Sequence, residues 1–340
     1  MNTIYPISIQ AYRFHCEAAL YQIKEIDAPN FTKIVVSVDC GKNKFYNTNF
    51  LYMVNLLMPV HIFKNPELYS KSNALQYNFA MKMLSKISFN SNSRILDIGC
   101  GDGVITNEIA TIVSEGCVIG TDISDAMIEH AAKVYNGQRN VRFIQMDATQ
   151  NIFRHQFDII TSFNCLHWVS DQRSAILGIA KAATDGAQIA LLLSHRKSLY
   201  HLVLDKVCAS DKWAFFFKDY ISPRSFFDVA NYESLLVESG LKVINIEEEE
   251  MTYYYQTPND LKEFFSAAGS QIKLIPDDLK ENFLNDFVNE FLNQVSLNDF
   301  DEIPVSFWCL QVVASKPYPT NKKSQEIYDL DVALKQGAHL

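Results

Sequence analysis

Residues 94–103 read Arg94-Ile95-Leu96-Asp97-Ile98-Gly99-Cys100-Gly101-Asp102-Gly103. A short apolar run carrying an acid, Asp97, gives way to glycine at alternate positions, 99, 101 and 103. A helical stretch, 104–113, follows directly. Glycines so spaced let the backbone turn sharply and let a ligand approach main-chain atoms. A dinucleotide fingerprint needs glycine at the first, third and sixth positions, and the sixth here is Val104. No Gly-Lys-Ser/Thr follows, so the loop is not a phosphate-gripping P-loop. A glycine loop preceded by an acid and lacking a phosphate clamp suits an adenosine ligand without phosphates.

Two further strands repeat the theme. Cys117 to Thr121 runs into Asp122, and Val141 to Gln145 is followed by Asp147. The acids at 97, 122 and 147 are 25 residues apart, the length of a strand, a helix and two short loops. Ligands of open α/β sheets bind beyond the carboxyl ends of the strands, so the three acids are expected to line one crevice. An acid ending a second strand can accept both ribose hydroxyl protons. Read more simply, acids after strands are turn residues and helix caps.

The loop and these acids resemble the motifs of class I S-adenosylmethionine-dependent methyltransferases. The resemblance implies that Asp122 takes the ribose hydroxyls and Ile123 packs on adenine. Asp147 or the Ala148 amide would meet the adenine edge. Asp97 and the Gly99–Gly101 backbone would hold the methionine end, with Cys100 and Gly103 completing the loop and Tyr69 and Asn164 beside it. Cys100 reads as a small loop residue rather than a nucleophile.

The bulk properties narrow the setting. A chain of 340 residues buries a large core. Its net charge is −9 and it has no dense basic run, which argues against nucleic acid as a partner. Seven cysteines, an odd number with no Cys-x-x-Cys pair, fit a reducing, cytoplasmic compartment rather than a disulfide frame or zinc knuckle. No metal site is expected. The first twenty residues do not read as a secretory signal. The most apolar stretch, 50–63, is too short to span a bilayer, so no stable membrane insertion is expected.

The remaining periodicity predicts a doubly wound, mostly parallel, seven-stranded α/β sheet of Rossmann-like type with an N-terminal extension. A helix over 72–87 leads into four βα units. Ser124 is placed as a helix cap. Strand 157–162, helix 172–184 and strand 187–194 follow, the last apolar throughout as a doubly covered strand should be. Two more strands, 241–255 and 305–314, flank helices at 258–268 and 276–295, each starting near proline. Residues 1–57 break the rhythm: 8–23 reads as a helix, and 33–39 with 44–50 as a hairpin over Gly41-Lys42-Asn43. The division expected is an extension of unknown role at 1–57, a methyltransferase domain at 58–316 and a tail at 317–340. Met58 is a plausible natural start.

Three segments narrow the resemblance over roughly residues 66–316. They are Glu67-Leu68-Tyr69-Ser70-Lys71-Ser72-Asn73-Ala74-Leu75-Gln76, Phe163-Asn164-Cys165-Leu166-His167-Trp168-Val169 with Asp171-Gln172-Arg173, and Thr257-Pro258-Asn259-Asp260-Leu261. They resemble the juvenile hormone acid and trans-aconitate methyltransferase group, whose members methylate small-molecule carboxylates. The implied partner is a small-molecule acid, and the implied assembly a monomer or homodimer. A carboxylate is ionised at neutral pH, so its methylation needs alignment and desolvation rather than a base. Gln76 and Trp168 offer an amide and an indole donor, and His167 a third. By resemblance Gln76 and Trp168 point into the acceptor pocket. Otherwise Trp168 and His167 cap the core and Gln76 is a solvated helix residue. The aromatic run Trp213 to Phe217 with Tyr220, Phe226 and Phe227 is either a lid suited to an apolar acid or a core cluster. Arg173, His195, Arg196 and Arg224 are candidate charges for a polyanion. A carrier-protein-bound acid, an oxygen or nitrogen of another metabolite, and a non-catalytic cofactor-binding protein stand as alternatives.

Overall fold

The computed structural model describes residues 62–195 and 197–319 in full, together with the backbone of strands at 9–16, 19–28 and 31–39. The chain forms two compact units, Met1–Leu57 and Met58–Leu340.

The first unit holds an antiparallel sheet of β1 (Ile9–Cys16), β2 (Ala19–Ala28) and β3 (Phe31–Asp39), in that order. The helix expected over 8–23 is therefore replaced by two strands. The physical reason lies in residue type: Tyr12, Phe14, Tyr21 and Ile23 favour the pleat. The register sets Phe14 opposite Tyr21 and Tyr12 opposite Ile23. Residues 33–39 are extended as expected; the partner proposed at 44–50 lies outside the described residues.

The second unit is the α/β sheet. Its lead-in helix, expected over 72–87, is the shorter α2 (Ala74–Leu84), preceded by a short α1 (Pro66–Lys71) that was not expected. The break falls at Asn73, whose side-chain amide donates to Asp102 at 2.7 Å, so the chain turns there to meet the glycine loop. Next come β4 (Arg94–Ile98), α3 (Val104–Ile112), β5 (Cys117–Asp122), α4 (Asp125–Val134), β6 (Val141–Gln145) and β7 (Phe157–Phe163). Ser124 caps α4 as expected, accepting from the Met127 N–H at 3.3 Å. Helix α5 (Gln172–Ala182) stops two residues early, and β8 (Ala183–Ser194) begins at once. Thr184 is drawn into the strand, donating from its hydroxyl to the Phe157 carbonyl at 3.1 Å. Then follow α6 (Leu199–Cys208), α7 (Val229–Glu238), β9 (Lys242–Tyr255), α8 (Pro258–Ala268), α9 (Lys280–Leu292) and β10 (Ile303–Ser315). Helix α9 starts later than its proline suggested, because residues 276–279 close a turn from the Leu279 N–H to the Pro276 carbonyl.

The seven strands lie in the order β6-β5-β4-β7-β8-β10-β9. The first five are parallel, and β10 runs antiparallel to both neighbours. From β4 the chain winds outward through β5 and β6, then returns to β4's other side as β7. That reversal opens a crevice beyond the carboxyl ends of β4 and β7. Successive residues of the central strands face opposite cores: Ile95, Ile159 and Leu192 one way, Leu96, Ile160 and Leu191 the other. Both faces are dry, as a parallel sheet requires.

Strand β9 is the sheet's edge and carries Glu247, Glu248, Glu249 and Glu250 in succession. Lys82 and Lys86 pair with Glu249 and Glu247, and Lys197 pairs with Glu248. No helix of the described residues is long and apolar enough to cross a membrane.

Candidate active site

The glycine loop leaves β4 with φ of +74° at Gly99, +55° at Gly101 and +84° at Gly103, all in the left-handed region that favours glycine. At Gly99 space is also closed: a Cβ there would stand 2.2 Å from Cys165 Sγ. The loop is pinned to β5 by N–H bonds from Gly99 and Cys100 to the Thr121 carbonyl, at 2.7 and 2.9 Å.

Asp97 does not face the crevice. It is 3% exposed, and its oxygens accept from Thr106 on α3 at 2.6 Å and Thr161 on β7 at 2.8 Å. Burial raises its pKa against the pull of those hydroxyls. The residue ties β4, α3 and β7 together beneath the loop. Asp122 ends β5 with one oxygen accepting the Gly101 N–H at 3.0 Å and the other the Ser124 N–H at 2.9 Å. Each carboxylate oxygen keeps a second acceptor site. Burial raises this pKa too, opposed by the backbone donors. Beyond β6, Asp147 accepts from the N–H and hydroxyl of Thr149, both at 2.8 Å, through one oxygen. Ala148 begins the short turn that Asp147 caps, and Ile123 accepts at its carbonyl from Gln145.

Cys100 is buried, and burial with Asp122 and Asp97 pushes its thiol well up. A thiol so held is no nucleophile, and its place is packing. Tyr69, on α1, reaches over the loop: its ring carbon lies 3.7 Å from where a Gly101 Cβ would be. Burial, then Asp102 and Asp122, keep its phenol protonated. Asp102, which sequence reasoning missed, accepts from Asn73 and so couples the loop to the α1–α2 joint. Its neighbours in sequence gave no sign of that distant partner.

Asn164 follows β7 with φ +55°, a conformation that asparagine tolerates. Its N–H donates to the Leu192 carbonyl, while its side-chain Nδ2 is buried with no protein hydrogen-bond partner. The Ser72 hydroxyl and Gln76 Oε1 are buried and unpartnered as well. Unsatisfied buried polar atoms are costly, so these are candidates to bond a ligand.

A cavity opens beside Tyr69, the residue that reaches over the loop. Tyr69, Gln76, Asn164, His167 and Trp168 all line it, so two segments far apart in sequence meet there. Gln76 is 9% exposed and is not a solvated helix residue. His167 is 3% exposed, and its Nδ1 accepts the Ser194 N–H at 3.2 Å. In the neutral ring the proton is then on Nε2, a donor. Phe63, Leu75, Phe79, Phe264 and Phe307 supply apolar wall, and Ser194, Tyr200 and Arg224 also line the cavity. Ile123, Asp147 and Ala148 are not part of this cavity.

The aromatic run divides. Trp213 is 2% exposed and packs on Phe283, Phe227 packs on Tyr232, and Phe215 points to solvent. Tyr220 and Phe226 line a second cavity. Of the candidate charges, Arg173 makes a surface pair with Glu238 and His195 faces Glu248. Arg196 lies outside the described residues. Arg224 lines both cavities, with its guanidinium 4.1 Å above the Trp168 ring.

Comparison with known proteins agrees with this geometry. Residues 95–186 match a family described as a methyltransferase domain. The juvenile hormone acid O-methyltransferase of Drosophila melanogaster is 27% identical over 275 residues, covering 74% of this chain and 92% of that protein. Protein 235L of Invertebrate iridescent virus 6, named as a methyltransferase, is 27% identical over 225 residues, 66% of this chain and 84% of its own. In fold, the chain is similar to the Haemonchus contortus phosphoethanolamine N-methyltransferase 2, solved with phosphomonomethylethanolamine and S-adenosylhomocysteine. The TM-score is 0.50 at 18% identity, covering 84% of this chain and 63% of that one. The glycine loop, the doubly wound sheet and these relatives together place the chain among the class I S-adenosylmethionine-dependent methyltransferases.

Proposed function

We propose that the protein O-methylates the carboxylate of a small-molecule acid, within residues 58–316. The observation that carries this reading is the make-up of the acceptor cavity: its titratable wall offers protons and no base. Among the described residues no carboxylate lines it. His167 spends the Nδ1 lone pair on Ser194. Tyr69 and Tyr200 are held protonated by burial, and Arg224 is a cation. A phenol or an ammonium would need a proton removed before attack, and nothing here is placed to take it. A carboxylate arrives ionised.

S-adenosylmethionine supplies the methyl group: a C–O bond forms at the carboxylate as the methyl–sulfonium bond breaks, leaving a neutral thioether and releasing no proton. The chain's own residues orient and desolvate. Asp122 is assigned the ribose hydroxyls, through the acceptor sites its two backbone donors leave. The glycine loop, with Cys100 as a small buried member, and Tyr69 and the unpartnered Asn164 amide hold the rest of the cofactor, with Ile123, Asp147 and Ala148 on the adenine side. Gln76, Trp168 and His167 face the acceptor. A half-turn of the Gln76 amide about its terminal torsion, a soft twofold rotation, exchanges its buried oxygen for a donor. The phenylalanine walls exclude water and favour an acid with an apolar body. A cytoplasmic monomer or homodimer fits this reading.

The test is incubation of the full chain with methyl-labelled S-adenosylmethionine and a panel of apolar acids. The expected product is a methyl ester that releases label as methanol in mild base. Label found only in base-stable products would remove the carboxylate reading.

A further inference from the structure

Arg224 stands where the two cavities share walls, together with Tyr200 and Ala268. Its position is built, not incidental. The Ser225 N–H donates to the His167 carbonyl at 2.7 Å, which fastens the loop onto the turn carrying Trp168. The Arg224 N–H donates to Ser222 Oγ at 3.2 Å. The guanidinium carbon stands 4.1 Å from the Trp168 ring centroid, and Nη1 stands 2.8 Å from His201 Nε2. Arginine has donors only, so that contact fixes the lone pair of His201 on Nε2 and makes histidine the acceptor. Ser194 Oγ faces the same nitrogen at 3.0 Å.

A partly buried guanidinium in an apolar cavity ordinarily has a carboxylate beside it. Among the described residues none forms an ion pair with Arg224. Asp205 lines the second cavity, but the groups that bear on the Arg224 charge are the phenols of Tyr200 and Tyr220. Burial pulls its pKa down to about 10, so the charge persists at neutral pH while lacking compensation. Stacking on an indole attracts a cation without neutralising it. One donor is used on His201, and others remain for a planar, two-oxygen anion.

We infer that Arg224 and His201 form an anion subsite at the junction of the two cavities, in which Arg224 binds the acceptor's carboxylate and His201 positions the guanidinium. This rests on the acid-acceptor reading and adds to it the residues that select charge. Lysine at 224 would carry charge without the flat fork, and a histidine replacement lacking an acceptor would let the fork swing.

The test is calorimetry on the full chain saturated with S-adenosylhomocysteine, using octanoate and its neutral isostere octanamide as probes. Wild type is expected to bind octanoate about tenfold or more tightly than octanamide, the order of a charge-assisted pair. Arg224→Gln should bring the two within about twofold while S-adenosylhomocysteine affinity and melting temperature stay put, with Arg224→Lys intermediate. His201→Phe should lose much of the preference and His201→Gln, which keeps an acceptor, should restore it; a merely structural histidine would not show that rescue. If Arg224→Gln does not fold, the His201 pair decides. Retention of the preference in Arg224→Gln or His201→Phe overturns the subsite, as does a wild type that shows no preference or binds neither probe. Acid preference without any methyl ester formation would leave the subsite standing and remove the acceptor reading instead.

Discussion

Replacing Asp122 with alanine separates cofactor binding from folding in a way that few site substitutions allow. Its two oxygens accept the Gly101 and Ser124 N–H groups at 3.0 and 2.9 Å. Alanine leaves both donors unanswered, a cost of about 1 kcal/mol each. Against that, burial holds the Asp122 pKa above its ordinary value. An acid whose folded pKa exceeds its unfolded pKa is ionised more readily in the unfolded chain, so at neutral pH its charge costs stability. Removing it recovers part of that cost, and the melting temperature should fall by less than about 8 °C. Binding has no such offset. A hydrogen bond to a charged group contributes about 1.5–3 kcal/mol, so affinity for S-adenosylhomocysteine should fall by roughly 10- to 150-fold. Calorimetry with S-adenosylhomocysteine and its 2′-deoxyribose analogue gives the sharper readout: wild type should discriminate between them, and Asp122→Ala should not. A folded mutant that binds with unchanged affinity, or still distinguishes the sugars, would refute the ribose assignment.

Three further outcomes are expected. Gly99→Ala should destabilise by about 3 kcal/mol, combining overpacking against Cys165 with a left-handed φ; in urea unfolding, adding Cys165→Gly should show a coupling of about 2 kcal/mol, and full additivity would contradict the close packing. The rate with an acid acceptor should be flat from about pH 6 to 9, since the acceptor is ionised throughout and burial keeps Tyr69 and Tyr200 from titrating in that window; Trp168→Phe should lower turnover roughly tenfold, one bond to a charged group, with cofactor affinity intact, and a rising limb or full activity would count against the mechanism. A protein beginning at Met58 should bind S-adenosylhomocysteine as the full chain does, and a well-folded truncation blind to it would show that residues 1–57 belong to the catalytic unit.

The sheet and its glycine loop were legible because their signals are local. Strand, glycine loop and helix are contiguous from Arg94 to Ile112, and the acids recur with each βα unit. Even there, Asp97 was legible as an acid at a strand end but not as a brace, since Thr106 and Thr161 reach it from other elements. The acceptor cavity was only half legible. Its walls run from Phe63 to Cys309 and meet only after β8 and β10 have paired. Arg224 carried no local mark of burial: the contacts that withdraw it, from Trp168 and His201, are 56 and 23 residues away along the chain. The N-terminal strands were misread because a mixed run such as Ile9 to Cys16 satisfies helical and alternating spacing alike, and only pairing decides.

The glutamates of β9 bear on how this molecule meets its own kind. An exposed sheet margin is an invitation to fibril growth and to strand-swapped oligomers. Here the margin bears four consecutive acids, and their lysine partners come from within the same chain. A second copy docking antiparallel along that margin would set glutamate against glutamate at every central position, which is repulsive. Self-association through this rim is thereby discouraged at neutral pH, and acidification, by neutralising the rim, is the condition under which crowded solutions of the protein should first turn cloudy.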